Sequence, residues 1–216
     1  MRRLTITPEI AAQLIGRPRV ERQEQQYCAD DALALAVEIG KQMCADFVLD
    51  ADNTPAYTAI AKWLVNEQQP KLSPYKGIYL QGATGTGKTI CLDIFRTVAR
   101  YLQIEVNGEP MRWQSVSTAE VCDSYLETGS TEQYRAAQVI CFQDLGGEPT
   151  EVLYMGNRRN VMRQILEARG DHPDTLTLIT SNIPAEKLGQ YYGDRVASRI
   201  RQMCNILTMG GADRRK

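Results

Sequence analysis

Residues 82–89 read Gly-Ala-Thr-Gly-Thr-Gly-Lys-Thr. A stretch with glycine at 82, 85 and 87 cannot extend a strand and does not favour a helix until Lys88. Before it lies a short apolar run, Gly77-Ile78-Tyr79-Leu80. After it, Ile90, Ile94, Phe95, Val98 and Leu102 recur at helical spacing over residues 88–102. The chain must therefore pass from buried strand through a tight glycine loop into an amphipathic helix. The spacing satisfies G-x-x-x-x-G-K-[ST]. Such a loop turns its backbone N–H groups inward onto phosphate oxygens, and the helix N-terminus adds its dipole. Gly82, Ala83, Thr84, Gly85, Thr86, Gly87, Lys88, Thr89 and Ile90 are the candidate nucleotide-binding residues, with ATP and Mg²⁺ as the expected cofactors. Lys88 is placed to reach the β- and γ-phosphates, and the Thr89 hydroxyl to bind Mg²⁺.

The rest of the second half repeats the alternation. The pattern predicts strands over 111–116, 139–143, 176–180 and 205–209. Helices are predicted over 118–126 and 157–169, with one or two more within 185–202. Strands alternating with helices imply an α/β fold, a mainly parallel sheet sandwiched by helices. The first half differs. Residues 1–28 are polar, and Asp30-Asp31 then open a helical apolar pattern running to Phe47. Thr54-Pro55 offers a cap and a first-turn proline for a second helix, and QQPKLSPYKG is a breaker-rich connection. This predicts two parts: a small, partly helical N-terminal segment over 1–70, with partner binding as its expected role, and an NTP-binding core over 71–216.

Composition removes several alternatives. Hydrophobic residues make up 43% and charged residues 24%, and no apolar run approaches a membrane span. A net charge of −1 leaves no global basic field for nucleic acid. The six cysteines, at 28, 44, 91, 122, 141 and 204, contain no CxxC pair, and the chain has one histidine, His172. That disfavours a zinc site and suits a cytoplasmic protein with reduced thiols. Met1-Arg2-Arg3 leads into no apolar signal segment.

Three further stretches carry chemistry. VICFQDLGGEP, residues 139–149, is an apolar strand ending in Gln143-Asp144, where a P-loop ATPase needs one carboxylate to orient Mg²⁺ and a neighbour to polarise water. Two registers are open. Either Asp144 activates water and Gln143 stands in the metal position, or Asp144 serves the metal and Leu145 stands where the base belongs. In both, one carboxylate is missing, and Glu148 is the nearest substitute. TLTLITSNIP, residues 175–184, ends in Thr180-Ser181-Asn182, a polar tip at the ligand-binding edge of a parallel sheet. Arg195 and Arg199 share a helical face in GDRVASRIRQM and could enter a neighbour's site. Arg158, Arg159 and Arg163 form a candidate basic patch on the helix after the acid strand.

The order GATGTGKT, FQDLG, TSN, GDRVASRI resembles the AAA+ ATPases of the DnaC/IstB type, over residues 71–216. KGIYLQGATGTGKT and VSTAEVCDSYLETG are similar to the helicase-loader branch. The resemblance implies a P-loop NTPase fold of AAA+ type without a separate C-terminal lid. It implies ATP hydrolysis using Lys88, Asp144, Asn182 and an arginine finger at Arg199, with Arg195 as second candidate. Thr89 and Asp144 are the implied metal-site residues. It favours the register with Gln143 in the metal-orienting position, so weak or partner-stimulated hydrolysis is expected. Arg214 and Arg215 are candidates for a second sensor. The implied partners are a replicative helicase, single-stranded DNA and further copies of the chain. The alternatives are an IstB-like transposition helper, a non-hydrolysing nucleotide switch and a small P-loop kinase.

Overall fold

The computed structural model describes residues 20–23 and 26–214. Five strands form one parallel sheet: β1 (Gly77–Gln81), β4 (Gln114–Ser117), β5 (Val139–Leu145), β8 (Leu176–Ser181) and β9 (Cys204–Thr208), in the order β4-β5-β8-β1-β9. β2 (Glu105–Val106) pairs antiparallel with β3 (Glu109–Pro110), and β6 (Val152–Tyr154) with β7 (Asn157–Arg159). The helices are α1 (Ala29–Met43), α2 (Thr54–Leu64), α3 (Lys88–Tyr101), α4 (Thr118–Thr128), α5 (Glu132–Ala136), α6 (Val161–Gly170), α7 (Leu188–Tyr192) and α8 (Asp194–Met203).

Strand alternation sorts the core into two layers. Ile78 and Leu80 of β1 and Cys141 of β5 face α1, α2 and α3, joining Ala36, Ile60, Phe95 and Val98 in one apolar cluster. Tyr79, Ile140 and Phe142 point to the opposite face and meet Val121 of α4, Ile165 of α6 and Ile200 of α8. Helices thus cover both faces, as expected for a buried parallel sheet. β1 lies so close to β8 that a Cβ on Gly77 would overlap the Thr177 carbonyl oxygen.

Local sequence explains most boundaries. Ser117 caps α4: its Oγ accepts from Glu120 N at 3.1 Å, while the Glu120 carboxylate accepts from Ser117 N at 2.8 Å. Gly129, at φ 71°, stops the same helix in the left-handed region. For α2 the N-cap is Asn53 rather than Thr54, with Pro55 in the first turn.

A second expectation changes. The helix predicted over 157–169 begins at Val161, because residues 157–159 complete the β6–β7 hairpin. Arg158 and Arg159 therefore sit on that hairpin, with Arg163 on α6. In addition, α1 and α2 share a single apolar cluster with α3. Residues 1–19, and with them most of the polar N-terminal stretch, lie outside the described residues, as does Arg215. Among the described residues, no helix is long and apolar enough to cross a membrane.

Candidate functional site

The carboxyl edge of the sheet, above β1, β5 and β8, borders a cavity of ≈ 450 Å³. Its lining runs from the glycine loop (Thr84 to Ile90) to Asp93, Asp144, Asn182 and Arg214, and on to Phe47, Val48 and Tyr57. The sequence-predicted Lys88, Thr89, Asp144 and Asn182 therefore converge on one space.

Gly85 and Gly87 adopt φ of 79° and 92°, which is why glycines occupy these turns. Lys88 is the first residue of α3 and is 5% exposed. Its Nζ donates to Gly82 O at 2.9 Å, Ala83 O at 2.7 Å and Asn182 Oδ1 at 2.8 Å. The ammonium thus crosses the mouth of the loop and ties it to the tip of β8. Thr86 Oγ1 closes the turn on Ala83 O at 2.9 Å.

The end of β5 is irregular. Phe142 pairs with Ile179, but Leu145 pairs with Ser181, so β5 carries one extra residue against β8. Asp144 absorbs this bulge at φ 56°, a left-handed conformation uncommon outside glycine. Its backbone is clamped. Asp144 N donates to Thr180 Oγ1 at 2.9 Å, and Asp144 O accepts from Thr118 Oγ1 at 3.1 Å and Gly147 N at 2.8 Å. Its exposed carboxylate makes no hydrogen bond or ion pair among the described residues. Gln143, paired with Ser117 on β4, keeps the face of Cys141 that packs toward α3. Glu148 is held elsewhere: its carboxylate accepts from the Tyr192 hydroxyl and, at 2.8 Å, from Gly146 N. It does not line the cavity.

The two arginines of α8 are remote from this chain's own cavity. Arg199 folds back on the end of α6, donating to Gly170 O at 3.0 Å and pairing with Asp171. Arg195 is exposed, with Nε 4.0 Å from Glu167.

Sequence reading missed two parts of the site. The apolar end is built by the α1–α2 connection and the start of α2, where Phe47 and Tyr57 meet edge-on with ring centroids 5.8 Å apart. Burial pushes the Tyr57 hydroxyl far above its ordinary range. The second missed part is the strap after β9. Arg214 N donates to Gly85 O at 2.9 Å, and its guanidinium pairs with Asp50 at 2.7 Å. The hydrogen bond from Arg214 holds the Asp50 carboxyl below its usual range. A Cβ on Gly85 would overlap the Asp213 carboxylate. This strap brings Arg214, a second-sensor candidate by the resemblance, to the cavity.

These residues fit a nucleotide with Mg²⁺: an N–H-lined loop and a lysine at one end, a hydroxyl and carboxylates beside it, and an aromatic recess at the other.

No protein-family model matches the chain, nor does any curated protein. Solved structures do. A structure of DnaI superposes with a TM-score of 0.57 at 22% identity, covering 88% of this chain and 95% of that one. A DnaC helicase loader gives 0.53 at 16%, covering 76% and 94%. AMPPCP-bound DnaA from Aquifex aeolicus gives 0.52 at 20%, covering 76% of this chain and 49% of that one. The chain shares the α/β fold of these structures.

Proposed function

We propose that this protein binds ATP with Mg²⁺ and hydrolyses it slowly, and that the nucleotide governs its assembly on a replicative helicase and single-stranded DNA, as a DnaC-type loader. The observation that carries the reading is Lys88, which joins the glycine loop to Asn182 beside the free carboxylate of Asp144 in one open cavity. An incoming γ-phosphate replaces the loop carbonyls as the partner of the Lys88 ammonium, and Asn182 is left to hold the attacking water. Asp144 accepts that water's proton. Bound Mg²⁺ supplies charge neutralisation between the phosphates. Thr89 would supply its hydroxyl ligand, and Asp144 borders the same space.

Gln143 makes turnover the weak step, because an amide can accept a hydrogen bond from a metal-bound water but brings no charge. The same residue favours a second reading, a nucleotide switch that binds without hydrolysing. Arg199, with Arg195 behind it, completes the site of a neighbouring copy after leaving Asp171. Residues 1–70 contribute the helicase contact.

ATP turnover, measured with Mg²⁺ and single-stranded DNA on wild type, Lys88→Ala and Gln143→Asp, tests the reaction. Wild-type turnover abolished by Lys88→Ala supports the ATPase. Binding without turnover, with activity gained in Gln143→Asp, selects the switch. A pull-down that recovers a transposase and no helicase selects the IstB-like helper over the loader.

A further inference from the structure

β5 carries an amide, Gln143, immediately before the cavity-lining Asp144, where a P-loop ATPase needs a second carboxylate, yet another carboxylate lines the cavity from a different element. Asp93 follows Thr89 by four residues on α3, so the two share a face with Cβ atoms about 6 Å apart. It lines the same cavity as Thr89, Asp144 and Asn182. Its Oδ1 accepts from Ser115 Oγ at 2.9 Å and lies 3.4 Å from the half-exposed guanidinium of Arg96. Oδ2 makes no hydrogen bond or ion pair among the described residues.

The sheet register fixes where that carboxylate stands relative to Gln143. Ser115 is opposite Cys141, and Ser117 opposite Gln143. Paired residues and residues two apart share a face, at a spacing of about 7 Å along the strand. Asp93 is therefore tethered one pleat below Gln143, on the same face of the sheet. The Cys141 thiol registers it: burial, then the Asp93 carboxylate, with a smaller push from Asp144, raises it to about 12.

We propose that Asp93 supplies, through a metal-bound water, the negative charge that Gln143 withholds, and so acts as the positioning carboxylate for nucleotide-bound Mg²⁺. The proposal rests on reading the cavity as an ATP site. Mg²⁺ keeps several waters at about 2.1 Å, and a carboxylate bonded to one of them stands roughly 4–5 Å from the ion. A residue one turn below Thr89, whose hydroxyl would bind the ion, would reach such a water without direct ligation. Gln143 suits the same scheme. Its NH₂ can donate to Asp93 while its carbonyl accepts from the water, a neutral relay between charge and ion.

The test uses the full chain and a fluorescent ATP analogue, with affinity measured across a Mg²⁺ series. Asp93→Asn removes the charge and keeps an acceptor for Ser115. It is expected to raise the Mg²⁺ needed for half-maximal effect by about tenfold or more, with binding in the absence of Mg²⁺ at the wild-type level. Adding Gln143→Asp to Asp93→Asn should restore the wild-type Mg²⁺ requirement, since the charge returns one pleat higher. An unchanged requirement in Asp93→Asn overturns the proposal. So does a loss equally large without Mg²⁺, or a double variant that stays impaired. Failure of wild type to bind the analogue, or wild-type binding by Lys88→Ala, overturns the ATP-site reading itself, however Asp93 behaves.

Discussion

Asp144 combines a strained backbone with an unpartnered carboxylate, and substitutions can separate the two. At φ 56°, an ordinary L-residue pays about 1–2 kcal/mol, and asparagine and aspartate pay less. The three hydrogen bonds that hold the bulge, Asp144 N donating to Thr180 and Asp144 O accepting from Thr118 and Gly147, all use Asp144 backbone atoms, so a new side chain leaves them in place. The stability change is then a backbone term. Asp144→Asn should match wild type. In Asp144→Gly, relief of strain is offset by about 0.5–1 kcal/mol of added unfolded-state entropy, so it should stay within about 1 kcal/mol of wild type. Asp144→Ala should lose about 1 kcal/mol and Asp144→Val roughly 2. Turnover should follow a different order. All four variants lose the proton acceptor and should fall alike, by about 10²–10⁴-fold. Urea denaturation reads the first series and ATP turnover the second. Turnover retained in Asp144→Gly, or a Gly variant less stable than the Ala variant, would refute the assignment of strain and chemistry to this one residue.

Four further outcomes are expected. Burial raises the thiols of Cys122, Cys141 and Cys204 to about 11, 12 and 12, so iodoacetamide at pH 8 should label Cys28 and Cys44 and spare these three, with ATP protecting Cys44, which lines the cavity; mass spectrometry of native protein checks this. Arg169 is 1% exposed and donates to Thr177 Oγ1 and to the carbonyls of Tyr134, Arg135, Ala137 and Leu176. Arg169→Met should cost about 3–5 kcal/mol in urea melts by orphaning those acceptors, and Arg169→Lys should not restore the fork. Glu148→Gln should change turnover by less than about tenfold, because that carboxylate is spent on Tyr192 and Gly146 N. Arg214→Ala should weaken ATP binding by roughly tenfold in a direct titration, through loss of one charged donor in the cavity.

The alternation of apolar strand and amphipathic helix was legible in the second half because each element carries a local period. The glycine loop, the polar tip at Asn182 and the acid at Asp144 were legible for the same reason: each ends a strand at one edge of the sheet, and parallel topology brings those edges together. What escaped depended on contacts across the chain. Residues 157–159 continue a helical pattern into α6, yet a hairpin forms because Met155 and Gly156 turn at φ 47° and 79°. The roles of Phe47 and Tyr57 arise only when α1 and α2 dock on α3, about 40 residues away in sequence. Arg169, spaced like any polar residue on a helix, is buried by the strand behind it and has carbonyl partners that no sequence pattern announces.

The bulge also accounts for how Asp144 comes to line the cavity. A regular β5 would continue its alternation and send Asp144 toward the opposite face, into the layer that holds Phe142. The extra residue breaks that alternation after Gln143, and Asp144 is found lining the cavity. Gln143 keeps its place on the α3 side, in register with Ser117. If charge alone separates this site from a fast ATPase, restoring it should be enough, without repacking. Gln143→Asp asks only for an oxygen in place of an NH₂ group on a side chain one methylene shorter, at a half-exposed position.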